Sequence, residues 1–432
     1  MSSLEHRLQA RGAYKTGGTL AALDIGCSKI TCLIATRDLA GPEGFRLCGG
    51  GRQQSKGFTG GSITDMNGLE RAIRLAVEDA ERNAGEQIDR VILGITGPKV
   101  RCHLVTASIT IGGREVTSRD SKRLFAQALI KAEEKGMETL SAHPVAWRVD
   151  EQEGVRHPEG MHCQELSVLL SVVYAPRSIV RNIIECVGRA HLGIERLVPS
   201  AIASGSGTLI DDERENGAIC IDMGAGVTAV SVFLNGAPAW LGLIPIGGKH
   251  VTGDIAQGIG TTFAAAERLK AISGTADYMG PGLDELIDVP KLGDDGRLHG
   301  HKMKKGELAT IVGARVEEIF ELVDQMLKAS DVRKVLPRRA VLTGGASQLA
   351  GIRDIAQKVI KMPIRLGRPV SSEILGEILG TPAFSTAAGL LSYELSGSSD
   401  AAFGQAYSGG LVGGEGPGGK VNRAFQWLKE NF

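Results

Sequence analysis

An excess of either charge is absent from this chain: Lys and Arg number 49 and Asp and Glu number 49. That excludes nucleic acid as a main partner, because phosphate-backbone binding shows as a basic surplus. Aromatic residues are sparse, at 4%. The seven cysteines, at 27, 32, 48, 102, 163, 186 and 220, form no CxxC pair and no zinc-ligand spacing. This fits a reduced cytosolic compartment, with the thiols serving as small core residues. No stretch approaches the roughly 18 uninterrupted apolar residues of a membrane span. Any meeting with a membrane is therefore expected at its surface. The opening MSSLEHRLQARGAYKTGG lacks the apolar core of a signal peptide and reads as a disordered leader, 1–18.

What is present is an alternation of strand and helix patterns. The chain has 432 residues, too many for one compact core, so two lobes or several subdomains are expected. Residues 19–36 read as two buried strands around a tight turn at Gly26. Residues 68–84 space apolar groups at helical intervals and stop at Gly85. Strands follow at 91–95, in CHLVTASITI and in LSVLLSVVYAP, with helical runs at 119–136 and 177–192. Further helical stretches, 252–272 and 306–329, flank a polar region at 274–305. The class is α/β. Residues 396–419 are glycine-rich and read as a flexible linker before a last helical pattern at 420–432.

The strongest internal signal is a duplication. Asp24 lies in ALDIGCSKITCLI and Asp222 in CIDMGAGVTAVSV. Each is a strand, an aspartate, an apolar residue, a glycine turn and a second strand. A triphosphate needs backbone N–H donors at close range, and glycine permits that approach. Gly26, Cys27, Ser28 and Lys29 form the first candidate phosphate turn; Gly224, Ala225 and Gly226 form the second. Asp24 and Asp222 are the candidate Mg²⁺ holders, acting through water because magnesium sheds its waters reluctantly. One such turn alone reads equally as a plain hairpin; two at matched places carry more. A third glycine segment, VLTGGASQLAGI, offers Gly344 and Gly345 to a flat ligand such as adenosine, followed by a helix start. In AAAERLKAI, Glu267 and Lys270 share a helix face. They read either as an exposed ion pair or as ribose and adenine contacts, and the surrounding motifs favour the second.

The tail is a separate signal. On a helical wheel Val421, Ala424, Phe425, Leu428 and Phe432 share a face, Trp427 lies at its edge, and Lys420, Arg423 and Lys429 lie off it. An apolar stripe with aromatic anchors and a basic flank is the pattern of a helix lying in a lipid interface. Burying those side chains yields on the order of 8 kcal/mol gross, much of it consumed in folding so short a helix. One tail binds weakly; an array on a polymer binds firmly through avidity.

In this order, the two turns, the Glu/Lys helix, the adenosine segment and FSTAAGLL resemble the actin/Hsp70/sugar-kinase superfamily. With IPIGGKHVTGDIAQGIGTTFAAAERLK, including Gly248, and the final VNRAFQWLKENF, the chain resembles more narrowly the FtsA family of bacterial actin-like cell-division proteins. The resemblance spans about residue 20 to 432. It implies a two-lobed actin-like ATPase fold with an inserted subdomain 1C at 88–173. Subdomain 1A would take 19–87, 174–205 and 384–395, subdomain 2A 206–250 and 313–383, and subdomain 2B 251–312. It implies an ATP-binding protein that polymerises, tethers the FtsZ ring to the inner face of the cytoplasmic membrane through its tail, takes the FtsZ C-terminal peptide on 2B, and recruits later division proteins through 1C. The basic segment GRLHGHKMKK, with Arg297 and Lys304, is a candidate contact for that acidic peptide; it also reads as a solvated loop. Ala225, Val227 and Ala229 depart from the family's second turn, and no catalytic base is evident. Weak or absent ATP hydrolysis is expected. A small-molecule kinase and a pilus-assembly scaffold on the same fold are the alternatives.

Overall fold

The computed structural model describes residues 18–38 and 44–395. The candidate leader up to residue 17, the linker 396–419 and the tail residues Val421, Arg423, Phe425, Trp427, Leu428 and Phe432 lie outside the described residues.

The duplication seen around Asp24 and Asp222 extends to two whole sheets. In the first, the strands run in the order Phe45–Gln54, Lys29–Arg37, Thr19–Ile25, Arg90–Ile95, Gly193–Pro199. In the second the order is Ala237–Ile244, Thr228–Leu234, Ala218–Met223, Ala340–Thr343, Ile364–Leu366. In both, three consecutive strands form antiparallel hairpins and the last two join in parallel. The parallel strands need helical crossovers to return in register, which accounts for the strand–helix alternation of the sequence. The innermost strands Thr19–Ile25 and Ala218–Met223 are almost wholly buried, as their continuous apolar runs require.

Helix Met66–Ala84 begins where the Asp65 carboxylate accepts the Asn67 N–H at 3.0 Å and ends at Gly85, whose φ of 69° is the left-handed conformation of a helix stop. The helical run expected over 119–136 is shorter, Ser118–Lys131, and starts at a capping box between Thr117 and Asp120. A strand, Met137–Val149, follows it where no element had been assigned. With Arg101–Thr110, Glu165–Pro176 and Gln152–Val155 it forms a separate antiparallel sheet, with its own buried cluster around Leu124, Leu166 and Val168. The insertion thus starts after Ile95 rather than at 88, because Arg90–Ile95 pairs with Thr19–Ile25 inside the first lobe's sheet. It reaches the second lobe as well: the Asn235 side chain donates to the Val145 carbonyl at 3.4 Å, and Arg156 pairs with Glu215.

The stretch 252–272 is two helices, Gly248–Ile259 and Phe263–Ser273, broken at Gly260, whose φ is 74°. The polar region 274–305 contains a hairpin, Leu286–Leu292 with Leu298–Lys304. Its mostly exposed residues leave no apolar alternation strong enough to mark strands. The helix Lys305–Ala329 runs through the expected 2B–2A boundary without interruption.

Two helices join the lobes. Ser200–Thr208 carries the chain out of the first sheet and Ser385–Leu395 brings it back. They cross at Gly207 and Gly389, and a Cβ on Gly389 would lie 1.7 Å from the Ala203 carbonyl oxygen. No side chain fits there, so Gly389→Val is expected to destabilise by about 3 kcal/mol or more. The measurement is the urea midpoint. Gly188→Ala serves as the control, on an exposed stretch with nothing near the added Cβ; it should leave the midpoint unchanged or slightly raised.

Candidate functional site

Both candidate phosphate turns have the same geometry. Gly26 N–H donates to the Lys29 carbonyl at 3.1 Å, and Gly224 N–H donates to the Val227 carbonyl at 3.0 Å. Asp24 stands opposite Thr31 and Asp222 opposite Ala229, the same rung of the two hairpins. Among the described residues, the N–H groups of Cys27, Ser28, Ala225 and Gly226 find no internal acceptor. Four unpaired donors at facing turns are the kind of arrangement that suits an anion.

The turns also touch. A Cβ on Gly226 would lie 2.8 Å from the Cys27 sulfur, and one on Gly61 would lie 3.3 Å from a Val227 methyl. The Cys27 thiol is buried, receives the Gly61 N–H at 3.4 Å, and is pushed up in pKa first by burial. It packs the base of the cleft, leaving only its backbone for a ligand. Ser28, by contrast, is exposed.

Asp24 and Asp222 lie deep between the lobes while keeping some contact with solvent. Burial is the first cause that lifts Asp24 to about 6, with the Asp222 charge adding to it and Lys29 opposing. Burial raises Asp222 as well, against hydrogen bonds from Thr386 and Ser204. Thr386 Oγ1 donates to Asp222 at 3.0 Å. Two carboxylates lifted in this way fit a cation between them, since a bound divalent ion supplies the charge that desolvation withholds. Among the described residues there is no group of three or more His, Cys, Asp or Glu that could hold a metal, so most of such an ion's ligands would come from water and phosphate.

Lys29 Nζ donates to the Ala383 carbonyl at 2.5 Å and sits 4.3 Å from the Phe384 ring centre. Asp24 and Asp222 both favour its charge, though burial outweighs them and lowers its pKa. Gly248 N–H donates to the Gly224 carbonyl at 2.9 Å, which seats the start of helix Gly248–Ile259 on the second turn. Lys270 Nζ donates to Gly248 O at 3.0 Å, to Thr252 Oγ1 at 2.8 Å and to Glu267 at 2.8 Å. Glu267 and Lys270 are therefore both a pair and a brace for the segment under the second turn; Glu267 keeps about half its side chain exposed, at 51%.

The third glycine segment differs from expectation. Gly345 opens a 3₁₀ turn, and the next helix, Ile352–Ile360, starts only after Gly351. The helix end facing the turns is that of Gly248–Ile259 instead. Gly344 has φ 89°, and a Cβ there would lie 2.2 Å from the Asp222 carboxylate. Gly344 thus makes room for Asp222, whereas Gly345 is exposed beside Ala383 and open to a ligand.

Arg297 and Lys304 are not brought together. Arg297 lies at the tip of the hairpin formed by Leu286–Leu292 and Leu298–Lys304, and Lys304 at its base, opposite Leu286. Lys304 pairs with Asp284 at 2.8 Å and Lys302 faces Asp288 at 3.9 Å, so acids interleave with the basic segment. Two residues at the cleft were missed from sequence: Thr386, within FSTAAGLL, and Lys249, directly after Gly248. Neither pattern states which side chain turns inward.

Comparison with known proteins agrees with this architecture. The family model "Cell division protein FtsA" matches residues 219–389, and "SHS2 domain inserted in FTSA" matches 97–174. Cell division protein FtsA of Agrobacterium fabrum is 36% identical over 427 residues, 97% of this chain and 96% of that protein. The chain belongs to the FtsA family. It is a cell-division protein of actin-like fold, with the family's inserted domain after Ile95. Among solved structures, the PilM-PilN type IV pilus biogenesis complex matches with TM-score 0.60 at 15% identity, over 87% of this chain and 98% of that one. MreB5 of Spiroplasma citri bound to ADP matches with TM-score 0.51 at 12% identity, over 91% and 99%. These two share the fold. The pilus alternative yields to the FtsA relatives in sequence.

The raised Asp24 pKa has a pH consequence. The folded state holds a proton that the unfolded chain, near 3.8, has released. The contribution to stability is full below about 4 and is lost as pH rises through about 6. Without nucleotide at pH 7.5, Asp24→Asn is expected to raise the unfolding free energy by ~1–2 kcal/mol, after allowance for water in the cleft. Urea unfolding at pH 7.5 and pH 4 checks this: the gain should vanish at the lower pH.

Proposed function

We propose that the facing turns hold ATP with Mg²⁺ and that the nucleotide sets the assembly state of this division protein. The observation that supports the reading best is the set of four unpaired N–H donors at Cys27, Ser28, Ala225 and Gly226, beside two half-buried aspartates. Gly26 and Gly224 shape the turns, Lys29 supplies charge, and Asp24 and Asp222 hold the magnesium. A bound magnesium neutralises phosphate charge. Gly248, Glu267, Lys270 and Gly345 border the adenosine side, with Gly344 clearing space for Asp222. The likeness in fold to MreB5, which was solved with ADP, accords with this.

Hydrolysis is expected to be weak or absent. Val227 and Ala229, at the positions that depart from the family's second turn, are buried and carry no group able to activate water. The cleft then works as a holding site whose occupancy biases the two lobes.

The assembly has three further parts. The chain polymerises with itself. Its C-terminal segment, amphipathic by its sequence pattern with Val421, Phe425, Leu428 and Phe432 on the apolar face, Trp427 at its edge and Arg423 on the basic flank, would anchor it at the cytoplasmic side of the inner membrane at the septum. Subdomain 2B, with Arg297 and Lys304, takes the C-terminal peptide of FtsZ, and subdomain 1C takes later division proteins. No single described helix is long and apolar enough to cross a membrane.

Phe425→Glu is expected to release the protein from liposomes while ATP binding stays within twofold of the parent. Co-sedimentation with ATP and FtsZ reads both halves. If a form truncated before residue 420 still carries FtsZ to liposomes, the tether is not the tail.

A further inference from the structure

Lys249 is held from two sides. Its backbone N–H donates to the Ala225 carbonyl of the second turn at 2.7 Å. Its side chain crosses to the other lobe, where Nζ donates to the Cys27 carbonyl of the first turn at 2.7 Å. The residue therefore spans both candidate phosphate turns. It is half-buried. Among the described residues no carboxylate pairs with it.

Lys29 offers a contrast. It also donates to a carbonyl, Ala383, but Asp24 and Asp222 both act on its charge. The Lys249 ammonium has only a neutral acceptor and stands beside four unpaired N–H groups. A half-buried ammonium without a counter-ion favours an anion over a carbonyl, since charge-assisted bonds are roughly twice as strong as neutral ones.

We propose that Lys249 is a phosphate-responsive latch between the lobes, an inference that rests on the cleft being a nucleotide site. The ammonium ties the second lobe to the Cys27 carbonyl. A phosphate group entering between the turns takes the ammonium over, and the tie between the lobes then runs through the phosphate. Lys249 thereby couples nucleotide occupancy to the relative position of the turns. It is a binding and positioning residue, separate from the aspartates below it.

Three variants of the full-length chain separate charge from simple bracing. Lys249→Met removes both the donor and the charge. Lys249→Gln keeps a donor for Cys27 but removes the charge, and Lys249→Arg keeps both. Mg-ATP binding is followed by fluorescence, and amide hydrogen exchange of the first turn, residues 24–31, is followed without nucleotide. Lys249→Met should speed that exchange about fivefold and weaken Mg-ATP binding about tenfold. Lys249→Gln should exchange like the parent yet lose the same affinity; this separates the proposal from a structural strut even if the Met variant folds poorly. Lys249→Arg should match the parent in both. A Gln variant that binds Mg-ATP as tightly as the parent overturns the proposal. A parent chain that binds no nucleotide overturns instead the reading of the cleft on which it rests.

Discussion

Two carboxylates placed near one another, deep between two lobes, are the constraint on which this molecule turns. Left to themselves, Asp24 and Asp222 resist ionising, because burial penalises the charge on each, and the Asp222 charge adds repulsion at Asp24. Their surroundings only partly relieve this. Lys29 lies near both, Thr386 donates to Asp222, and Gly344, which has no side chain, leaves room for the second carboxylate. What remains is a pair of carboxylates whose ionisation a nearby cation would ease. A protein built in this way can have its lobes governed by a small ligand, since stabilisation of one arrangement comes from outside the chain.

The two lobes are firmly joined. One buried apolar cluster runs through both sheets, and the chain crosses between them along two helices in backbone contact at Gly207 and Gly389. A contact of that kind leaves no slack for a side chain. The insertion has its own core and yet touches the second lobe through Asn235 and Glu215. A shift between the lobes is therefore felt at the insertion as well as at the cleft. In this member of the FtsA family the insertion and the cleft between the two turns are thus linked through the same second lobe.

The part of the fold legible in sequence was the part with strong periodicity. The buried hairpins, the helix ending at Gly85 and the long helix before residue 330 all carry unambiguous patterns. The hairpin Leu286–Leu292 with Leu298–Lys304 was not legible, because most of its side chains are exposed and only Val289, with Ile287 and Met303 beside it, packs on the core, too few to mark an alternation. Strand Met137–Val149 was missed; Pro144 and the polar residues inside it break the alternation. The 3₁₀ turn after Gly344 stood in place of a helix start because local glycine content marks a turn without setting its handedness or length.

The sequence by itself determined that two Asp/Gly turns exist, that they are copies of one device, and which family the chain resembles; these follow from residue types at fixed short spacings. It also placed the aspartates and glycines on the correct hairpins. Only the tertiary structure decided what lies opposite what. It turned the Cys27 thiol into the base of the cleft and gave Gly344 to Asp222. It set Arg297 and Lys304 at opposite ends of a hairpin and carried Lys249 across to the other lobe. The reason is physical: a side chain's partner across a cleft is set by how two lobes pack, and that packing leaves no trace in the local spacing of residues far apart in the chain.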